Sequence, residues 1–325
     1  MALTIRPFAG KADYNALEMI DRDVWPDDFE TAEEHMHADE AGKDHFGIRL
    51  LAELDGEPVG WAMSRYGYFW EAPNRYILDG SVLTSYRGQG VGTALYQALA
   101  DIWATKEVAA LLGWVREDQT DGLQFMQKRG FVQTQRDPRS ELDLTRFERD
   151  TFAPALQRVA EHGITLYSLT ELQTIDPDWK QKTWALRWPI RQDIPSEEPI
   201  SQTPFEQWQK MQLNSPTFDS DGYVVAIAPS GEYIGYSYTE IALGDPTKLY
   251  TGVTGVKREW RRKSVATALK LHVIDYALAR GATRIETDNE ESNPMYGLNL
   301  RLGFQPLPAW LTFKRVVDGE TNING

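Results

Sequence analysis

The sequence of 325 residues contains no cysteine, which excludes disulfide bonds, thiolate metal ligands and a covalent acyl-cysteine intermediate. No segment approaches the roughly 18 uninterrupted apolar residues that a transmembrane helix needs. Residues 1–21 also lack the basic segment and apolar run of a secretory signal. We therefore expect a cytoplasmic protein that has no membrane partner.

Basic residues are also scarce, because 34 Lys and Arg stand against 48 Asp and Glu, which gives a formal net charge of −14. Nucleic-acid binding needs clustered positive charge, so no nucleic-acid partner is expected. A negative field concentrates small cations near the protein, although charge also serves solubility alone. His35, His37 and His45 lack the spacing of a metal-binding motif, so no metal site is predicted.

One strand–turn–helix element is present twice. The first copy begins at Val82 and the second at Val256, 174 residues later, while the Gly-Phe pairs at Gly130 and Gly303 lie 173 residues apart. Two landmarks with nearly the same offset indicate a duplicated domain.

The length fits two domains, which we place at residues 1–150 and 151–325. Each half alternates apolar hairpins with amphipathic helices in the same order, which predicts an α/β fold: two tandem domains, each a mixed central sheet flanked by helices. The polar residues 319–325 are expected to fray.

The first turn carries glycines at positions 88, 90 and 92 between a strand and a helix. A helix N-terminus offers unpaired N–H groups and partial positive charge, and glycine lets the backbone approach a ligand closely. The turn therefore suits a pyrophosphate, with Arg87 at its rim. Its spacing is neither that of the Walker motif nor that of the dinucleotide-binding Gly-x-Gly-x-x-Gly motif.

The sequence Arg87-Gly88-Gln89-Gly90-Val91-Gly92, together with the later helices that end in Gly-Phe, resembles the GNAT superfamily of acetyl-coenzyme A-dependent N-acetyltransferases. The resemblance implies that acetyl-coenzyme A lies between two diverging central strands, with its pyrophosphate on this turn. It implies a first set of cofactor-binding residues: Val82, Arg87, Gly88, Gln89, Gly90, Val91 and Gly92. The corresponding residues of the second copy are Val256, Arg261, Arg262, Lys263, Ser264, Val265 and Ala266.

The second copy departs from the family pattern at Ser264, where a glycine is usual. A serine that must adopt positive φ costs about 1 kcal/mol, whereas Arg262 and Lys263 add positive charge for an anion. Asn289 and Asn293 follow a predicted strand of this half and are candidates to bind the pantetheine arm. The alternative is that these amides cap the next helix.

The family often places a tyrosine four residues before the glycine of Gly-Phe, as the acid that protonates the leaving thiolate. Met126 and Asn299 stand there in this chain, and neither is such an acid. Water or another tyrosine must serve, or one or both copies are silent.

The reaction that the resemblance implies is direct attack of an amine on a thioester, for which a carboxylate is the usual base. Candidate bases are Glu240 and Asp79, although a solvated strand residue is the alternative at each position. We expect an N-acetyltransferase of a small, cationic primary amine, and favour the C-terminal half as the catalytic one. A non-catalytic acyl-coenzyme A sensor and an acetyltransferase of peptide or protein N-termini are the rival hypotheses.

Overall fold

The computed structural model describes residues 2–317, so the polar segment 319–325 lies outside the described part. The chain forms two compact units. Unit 1 comprises the described residues of Met1–Arg136, Glu197–Ser201 and Trp310–Gly325, and unit 2 comprises Asp137–Ser196 and Gln202–Ala309.

The first part of the chain alternates strands and helices. Its elements are β1 (Leu3–Pro7), α1 (Lys11–Val24), α2 (Ala32–Ala41), β2 (Gly47–Leu54), β3 (Glu57–Tyr66), β4 (Arg75–Val82), α3 (Val91–Trp103), β5 (Ala110–Arg116), α4 (Thr120–Lys128) and β6 (Val132–Asp143).

The second part repeats this order with additional short elements. These are α5 (Ala153–Glu161), β7 (Thr165–Ser168), α6 (Leu169–Ile175), α7 (Trp179–Arg191), α8 (Phe205–Trp208), β8 (Phe218–Ile227), β9 (Tyr233–Ile241), β10 (Lys248–Thr251), β11 (Gly255–Val256), α9 (Val265–Ala279), β12 (Arg284–Asp288), α10 (Pro294–Arg301) and β13 (Gln305–Val316).

The sheet of unit 1 has the strand order β1-β2-β3-β4-β5-β13. Its neighbours are antiparallel except for β4 and β5, which are parallel and pair only as far as Ile77↔Leu112. Beyond that pair the two strands separate, so the last residues of β4 have no partner on that side. A gap of this kind leaves backbone groups available to a ligand.

The sheet of unit 2 repeats the pattern in the order β7-β8-β9-β10-β12-β6. Here β10 and β12 are the parallel pair and separate after Tyr250↔Glu286, while β11 continues along β9 after a break of three residues. The predicted mixed sheet with flanking helices is confirmed in both units.

The sixth strand of each unit comes from the opposite half of the sequence. Residues Trp310–Val316 of β13 pair with β5 in unit 1, and residues Arg139–Asp143 of β6 pair with β12 in unit 2. The predicted division after residue 150 follows the sequence repeat, whereas these compact units also depend on the exchanged strands.

The helices cover the two faces of each sheet. In unit 1 the apolar positions Leu17, Ile20 and Val24 recur at helical spacing on α1 and pack against one face, while α3 covers the other. In unit 2 helices α6 and α7 cover one face and α5, α9 and α10 the other. The polar residues on the α1 face and on the α7 face therefore lie beside the point where the central strands separate.

Candidate functional site

The two glycine-turn regions have the same backbone. Gly88 and Gly90 have φ of +74° and +86°, and the corresponding Arg262 and Ser264 have φ of +64° and +63°. Each turn leads into a long helix whose N-cap residue, Gly90 or Ser264, is left-handed and makes no side-chain cap. The first N–H groups of α3 and α9 therefore face outward without a side-chain cap, as an anion site requires.

The space around the first two glycines of the first turn is open. A Cβ atom added at Gly88 or Gly90 would meet no atom within 4 Å, whereas one at Gly92 would lie 3.3 Å from the Phe125 ring. Gly88 and Gly90 are therefore needed for backbone conformation, and Gly92 for packing. Ala266 occupies the place of Gly92 in the second copy.

The two turn arginines also adopt the same contact. Arg87 Nε donates to the Val82 carbonyl at 3.3 Å, and Arg261 Nε donates to the Val256 carbonyl at 2.9 Å. Each arginine thereby ties the turn to the strand that precedes it. Arg261 also pairs with Asp193, so that this carboxylate is already occupied by a cation.

The remaining predicted turn residues have three kinds of surroundings. Val91, Val256 and Val265 are buried, so only their backbones are available to a ligand. The Gln89 amide donates to the Ser85 carbonyl at 3.0 Å. Lys263 lies over the Trp260 ring at 4.2 Å.

The two asparagines after β12 are both engaged within the protein. The Asn293 side chain accepts from the Met295 N–H at 3.0 Å and caps α10, which is the alternative role raised for it. Asn289 Oδ1 accepts from Asn299 Nδ2 at 2.7 Å. Each amide oxygen therefore already accepts one hydrogen bond within the protein, and the role of these residues in binding the pantetheine arm stays a prediction.

The two positions that often carry the acidic tyrosine are buried. Asn299 is fully buried and its Oδ1 has no hydrogen-bond partner within residues 2–317, while Met126 belongs to the core of unit 1. Neither residue offers a proton to a leaving thiolate.

Asp79 occupies the separation point of the first sheet. It stands two residues beyond the last β4–β5 pair, and its Oδ1 accepts from the Gly80 N–H at 2.7 Å. The Asp79 side chain reaches solvent but is surrounded by many protein atoms, which reduce the hydration of its charged form. This desolvation, together with the charge of Asp21, raises the pKa of Asp79 to about 6. Such a pKa suits a base that works near neutral pH.

Further acidic groups face Asp79 from α1 and the loop after it; we call Asp21, Glu30 and Asp79 the acidic cluster. Asp21 is buried and accepts from Trp61 Nε1 at 2.8 Å. His35 contacts two members of the cluster, with Nε2 lying 3.6 Å from Asp21 and Nδ1 lying 3.3 Å from Glu30. Within residues 2–317 no group of three or more acidic or histidine side chains is arranged to hold a metal ion.

Sequence reasoning missed Asp21 and His35 as members of this site. The sequence did contain a signal for Asp21, which is an acidic residue on the apolar face of α1. It lies between Ile20 and Val24 and four residues after Leu17. A carboxylate on a buried face needs partners, which here are Trp61 and His35.

Glu240, the other candidate base, lies on β9 opposite Tyr250 and is half-buried. It is one strand away from the gap that opens between β10 and β12. The structure therefore places Asp79, and not Glu240, at a strand separation point.

Comparison with known proteins agrees with this geometry. In each unit the sheet opens beside a helix N-terminus without a side-chain cap, an arrangement that suits an anion. The chain belongs to the acetyltransferase (GNAT) family, whose model matches residues 14–131 and again 181–304. This family generally uses acetyl-coenzyme A.

Curated relatives include thialysine N-epsilon-acetyltransferase of Sus scrofa, 33% identical over 110 residues, and that of Bos taurus, 32% identical over 110 residues. Each match covers 30% of this chain and 65% of the relative.

Among solved structures, a tandem GNAT protein from the clavulanic acid biosynthesis pathway is similar over 98% of this chain and 100% of its own, with 19% identity and a TM-score of 0.72. A GCN5-related N-acetyltransferase from Sphaerobacter thermophilus is similar over 97% and 95%, with 20% identity and a TM-score of 0.68. These likenesses show a tandem fold. No helix within residues 2–317 is long and apolar enough to cross a membrane.

Proposed function

We propose that the chain transfers an acetyl group from acetyl-coenzyme A to the primary amine of a small cationic molecule, and that transfer takes place in unit 1. The observation that carries this proposal is the position of Asp79 at the separation of β4 and β5, with Asp21 and Glu30 nearby. The curated relatives, which are named for acetylating an amine, support the same reaction class.

The first turn is proposed to hold the donor. The open space above Gly88 and Gly90, their left-handed backbones and the uncapped start of α3 fit a pyrophosphate. Acetyl-coenzyme A supplies an activated thioester when bound. Its length would follow the gap between β4 and β5, where peptide groups without a strand partner can bond an amide-containing chain.

The acidic cluster is proposed to bind the acceptor and remove its proton. An ammonium has no lone pair, so the amine must lose a proton before it attacks. Asp79 is ionised above about pH 6 and can take that proton directly or through one water. Asp21 and Glu30 add negative charge that attracts a cation.

The backbone beside Asp79 supplies a further group. The Gly80 N–H lies beyond the last β4–β5 pair and donates to the Asp79 carboxylate. When the Asp79 carboxylate rotates toward the acceptor amine, the Gly80 N–H is released. It can then donate to the thioester carbonyl oxygen, which gains negative charge during the attack. The thiolate leaves without a tyrosine acid, because coenzyme A is a good leaving group.

Three observations favour unit 1 over the C-terminal half. Glu240 lies one strand away from the gap, Asp193 is paired with Arg258 and Arg261, and the α7 face carries Arg187 where a cation would be repelled. The sequence-based preference for the C-terminal half is therefore replaced by a proposal for unit 1.

The test is release of coenzyme A thiol, followed with a thiol reagent while amines are varied. The absence of cysteine in the chain makes this assay free of a protein background. We expect turnover with diamines and lysine-like amines, and little with neutral hydroxyl analogues of the same size. Binding of acetyl-coenzyme A without turnover of any amine would identify a sensor, and turnover confined to peptides would identify an N-terminal acetyltransferase.

A further inference from the structure

Unit 2 has a positively charged group at the place where unit 1 is acidic. Arg187 lies on α7 with its guanidinium carbon 6.0 Å from the centre of the Tyr236 ring. Tyr236 occupies the place on β9 that Trp61 has on β3, because Tyr236 pairs with Gly255 as Trp61 pairs with Ser81. Trp61 contacts the carboxylate of Asp21 and also faces Arg49, but that arginine is paired with Asp39. Tyr236 faces an arginine that makes no such ion pair within the described residues.

Arg187 has no anionic partner among the described residues. Its Nη1 donates to Gln212 Oε1 at 2.5 Å, and that oxygen also accepts from Trp208 Nε1 at 2.7 Å. The ionisable side chains that interact most strongly with the Arg187 charge are tyrosines and not carboxylates. A half-buried guanidinium without a counter-ion is costly unless a ligand or water completes its hydrogen bonds.

Two buried hydroxyls near Arg187 are also unsatisfied. The Tyr223 hydroxyl is fully buried beside Arg187, and within the described residues it makes no hydrogen bond of standard geometry. Thr183, one helical turn before Arg187 on α7, is likewise fully buried with its Oγ1 unpartnered. Buried polar groups in native proteins normally have partners, so these two hydroxyls point to a missing one.

Three stacked tyrosine rings lie beside these groups. Tyr223 and Tyr236 are stacked with centroids 5.6 Å apart, and Tyr238 stacks on Tyr223 at 5.2 Å. Arg191, one turn after Arg187, adds a second positive charge that acts on Tyr236 and Tyr238. Gln212 itself is presented by a π-helical turn, Gln209–Leu213, an irregularity that is frequent at functional sites.

We propose that this arginine–tyrosine cluster (Arg187, Tyr223, Tyr236 and Tyr238) binds a small molecule that carries a carboxylate beside a flat apolar group. The planar guanidinium fork matches a carboxylate, and one buried arginine with neutral hydroxyls matches a single negative charge better than a phosphate dianion. Unit 2 would then take an anionic ligand, while unit 1 is built for a cation. This site does not depend on the function proposed for unit 1.

The experiment is calorimetric titration of the full chain with benzoate, benzyl alcohol and inorganic phosphate. Benzoate is expected to bind, and benzyl alcohol, which has the same ring without the charge, is expected to bind at least about tenfold more weakly, since hydrogen bonds to charged groups are the stronger ones. Arg187→Gln should weaken benzoate binding by about tenfold or more for the same reason. Tyr223→Phe, which removes only the buried hydroxyl, should weaken it by about fivefold.

Lys180→Gln is the matched control, because Lys180 is an exposed cation on the same helix and lies over the Trp179 ring. It should leave benzoate binding unchanged. If Arg187→Gln does not fold, as judged by circular dichroism, Tyr223→Phe carries the test. Benzoate affinity that is equal in wild type and in the folded variants would overturn the proposal, as would absence of benzoate binding. Tighter binding of phosphate, lost in Arg187→Gln, would overturn the carboxylate assignment.

Discussion

Two non-glycine residues hold the second turn in a left-handed backbone. Arg262 and Ser264 have φ of +64° and +63°, a conformation that costs an ordinary residue about 1 to 2 kcal/mol. The Ser264 hydroxyl does not recover this cost by capping α9, since it accepts instead from Arg158 at 3.2 Å. Strained backbone that is retained in a fold is a reason to suspect a binding role, and here the strain keeps the N–H groups of α9 uncapped.

Ser264→Gly should therefore stabilise the protein by about 1 kcal/mol, because glycine adopts positive φ without a steric penalty. The reciprocal change in the first copy, Gly90→Ser, should destabilise it by a similar amount, as a Cβ there meets only strain and no clash. Urea unfolding measures both variants. Equal stability of Ser264→Gly and wild type would contradict the strain argument.

The pKa of Asp79 predicts how the rate of acetyl transfer depends on pH. Below about pH 6 its carboxyl is protonated and cannot accept a proton, so kcat/KM should fall as the pH drops through 6. Asp79→Asn should lower kcat/KM by about 10²-fold or more and abolish this acidic limb. Glu240→Gln is the matched control, since it removes the rival carboxylate. A pH profile that keeps its limb in Asp79→Asn would rule out Asp79 as the base.

Ionised Asp79 should also lower the stability of the folded protein. The pKa of Asp79 is about 6 in the folded protein but near the ordinary value of an aspartate when unfolded. Between those values the unfolded chain releases a proton that the folded chain keeps, so ionisation favours unfolding as the pH rises. Asp79→Asn should raise the melting temperature at pH 8 and change it little at pH 3. A melting temperature lowered at pH 8 would contradict the raised pKa.

At the scale of elements, the exchanged strands connect distant parts of the sequence. Phe313 on β13 is 1% exposed and belongs to the core that holds α3 and the first turn, although it stands in the last described strand. Unit 1 therefore needs a strand that is encoded about 180 residues after its other elements.

Phe313→Ala should destabilise unit 1 by about 3 to 5 kcal/mol, the usual cost of removing a buried phenylalanine. It should also weaken binding of acetyl-coenzyme A at the first turn. Val316→Ala, on the same strand but 61% exposed, should stay within about 0.5 kcal/mol of wild type. Thermal unfolding and calorimetry measure both variants, and similar values for the two would show that β13 is not part of the core of unit 1.

Local pattern predicted the hairpins, the helix after each turn and the turns themselves, because these depend on residues close in sequence. The exchange of β6 and β13 was missed, since the pairing Trp310↔Arg116 joins residues far apart and leaves no periodic signal. Within the candidate site, Asp79 was predicted as a base from its strand position alone. Asp21 and Arg187 were not, because only tertiary packing brings a helix side chain beside a strand end.

At the scale of the whole molecule, the net charge conceals opposite local charges at the two proposed sites. The total of −14 predicts attraction of cations, and the acidic cluster of unit 1 agrees with it. Unit 2 nevertheless carries Arg187 and Arg191 at the corresponding face. The two turns thus have the same backbone, while the two faces proposed to bind ligands differ in charge, which is what we expect of duplicated domains that serve different ligands.

The whole-molecule prediction concerns how many donors bind and where they react. Both turns keep the same backbone, so we expect calorimetry to show two molecules of acetyl-coenzyme A per chain. Gly90→Trp places a large side chain in open space above the first turn, and should remove one binding event and all turnover. Ser264→Trp should remove the other binding event and leave amine turnover intact.

Gly231→Trp is the control for strain, because Gly231 has φ of +84° and equally open surroundings but belongs to the β8–β9 turn and to neither of the two turns that precede α3 and α9. It should bind two donors and turn over like wild type. If instead Ser264→Trp abolishes turnover and Gly90→Trp does not, the C-terminal half is catalytic and Asp79 is not the base. If wild type binds a single donor that only Gly90→Trp removes, the strained turn of unit 2 has lost its ligand, and the cost of Arg262 and Ser264 is then a remnant of the duplication.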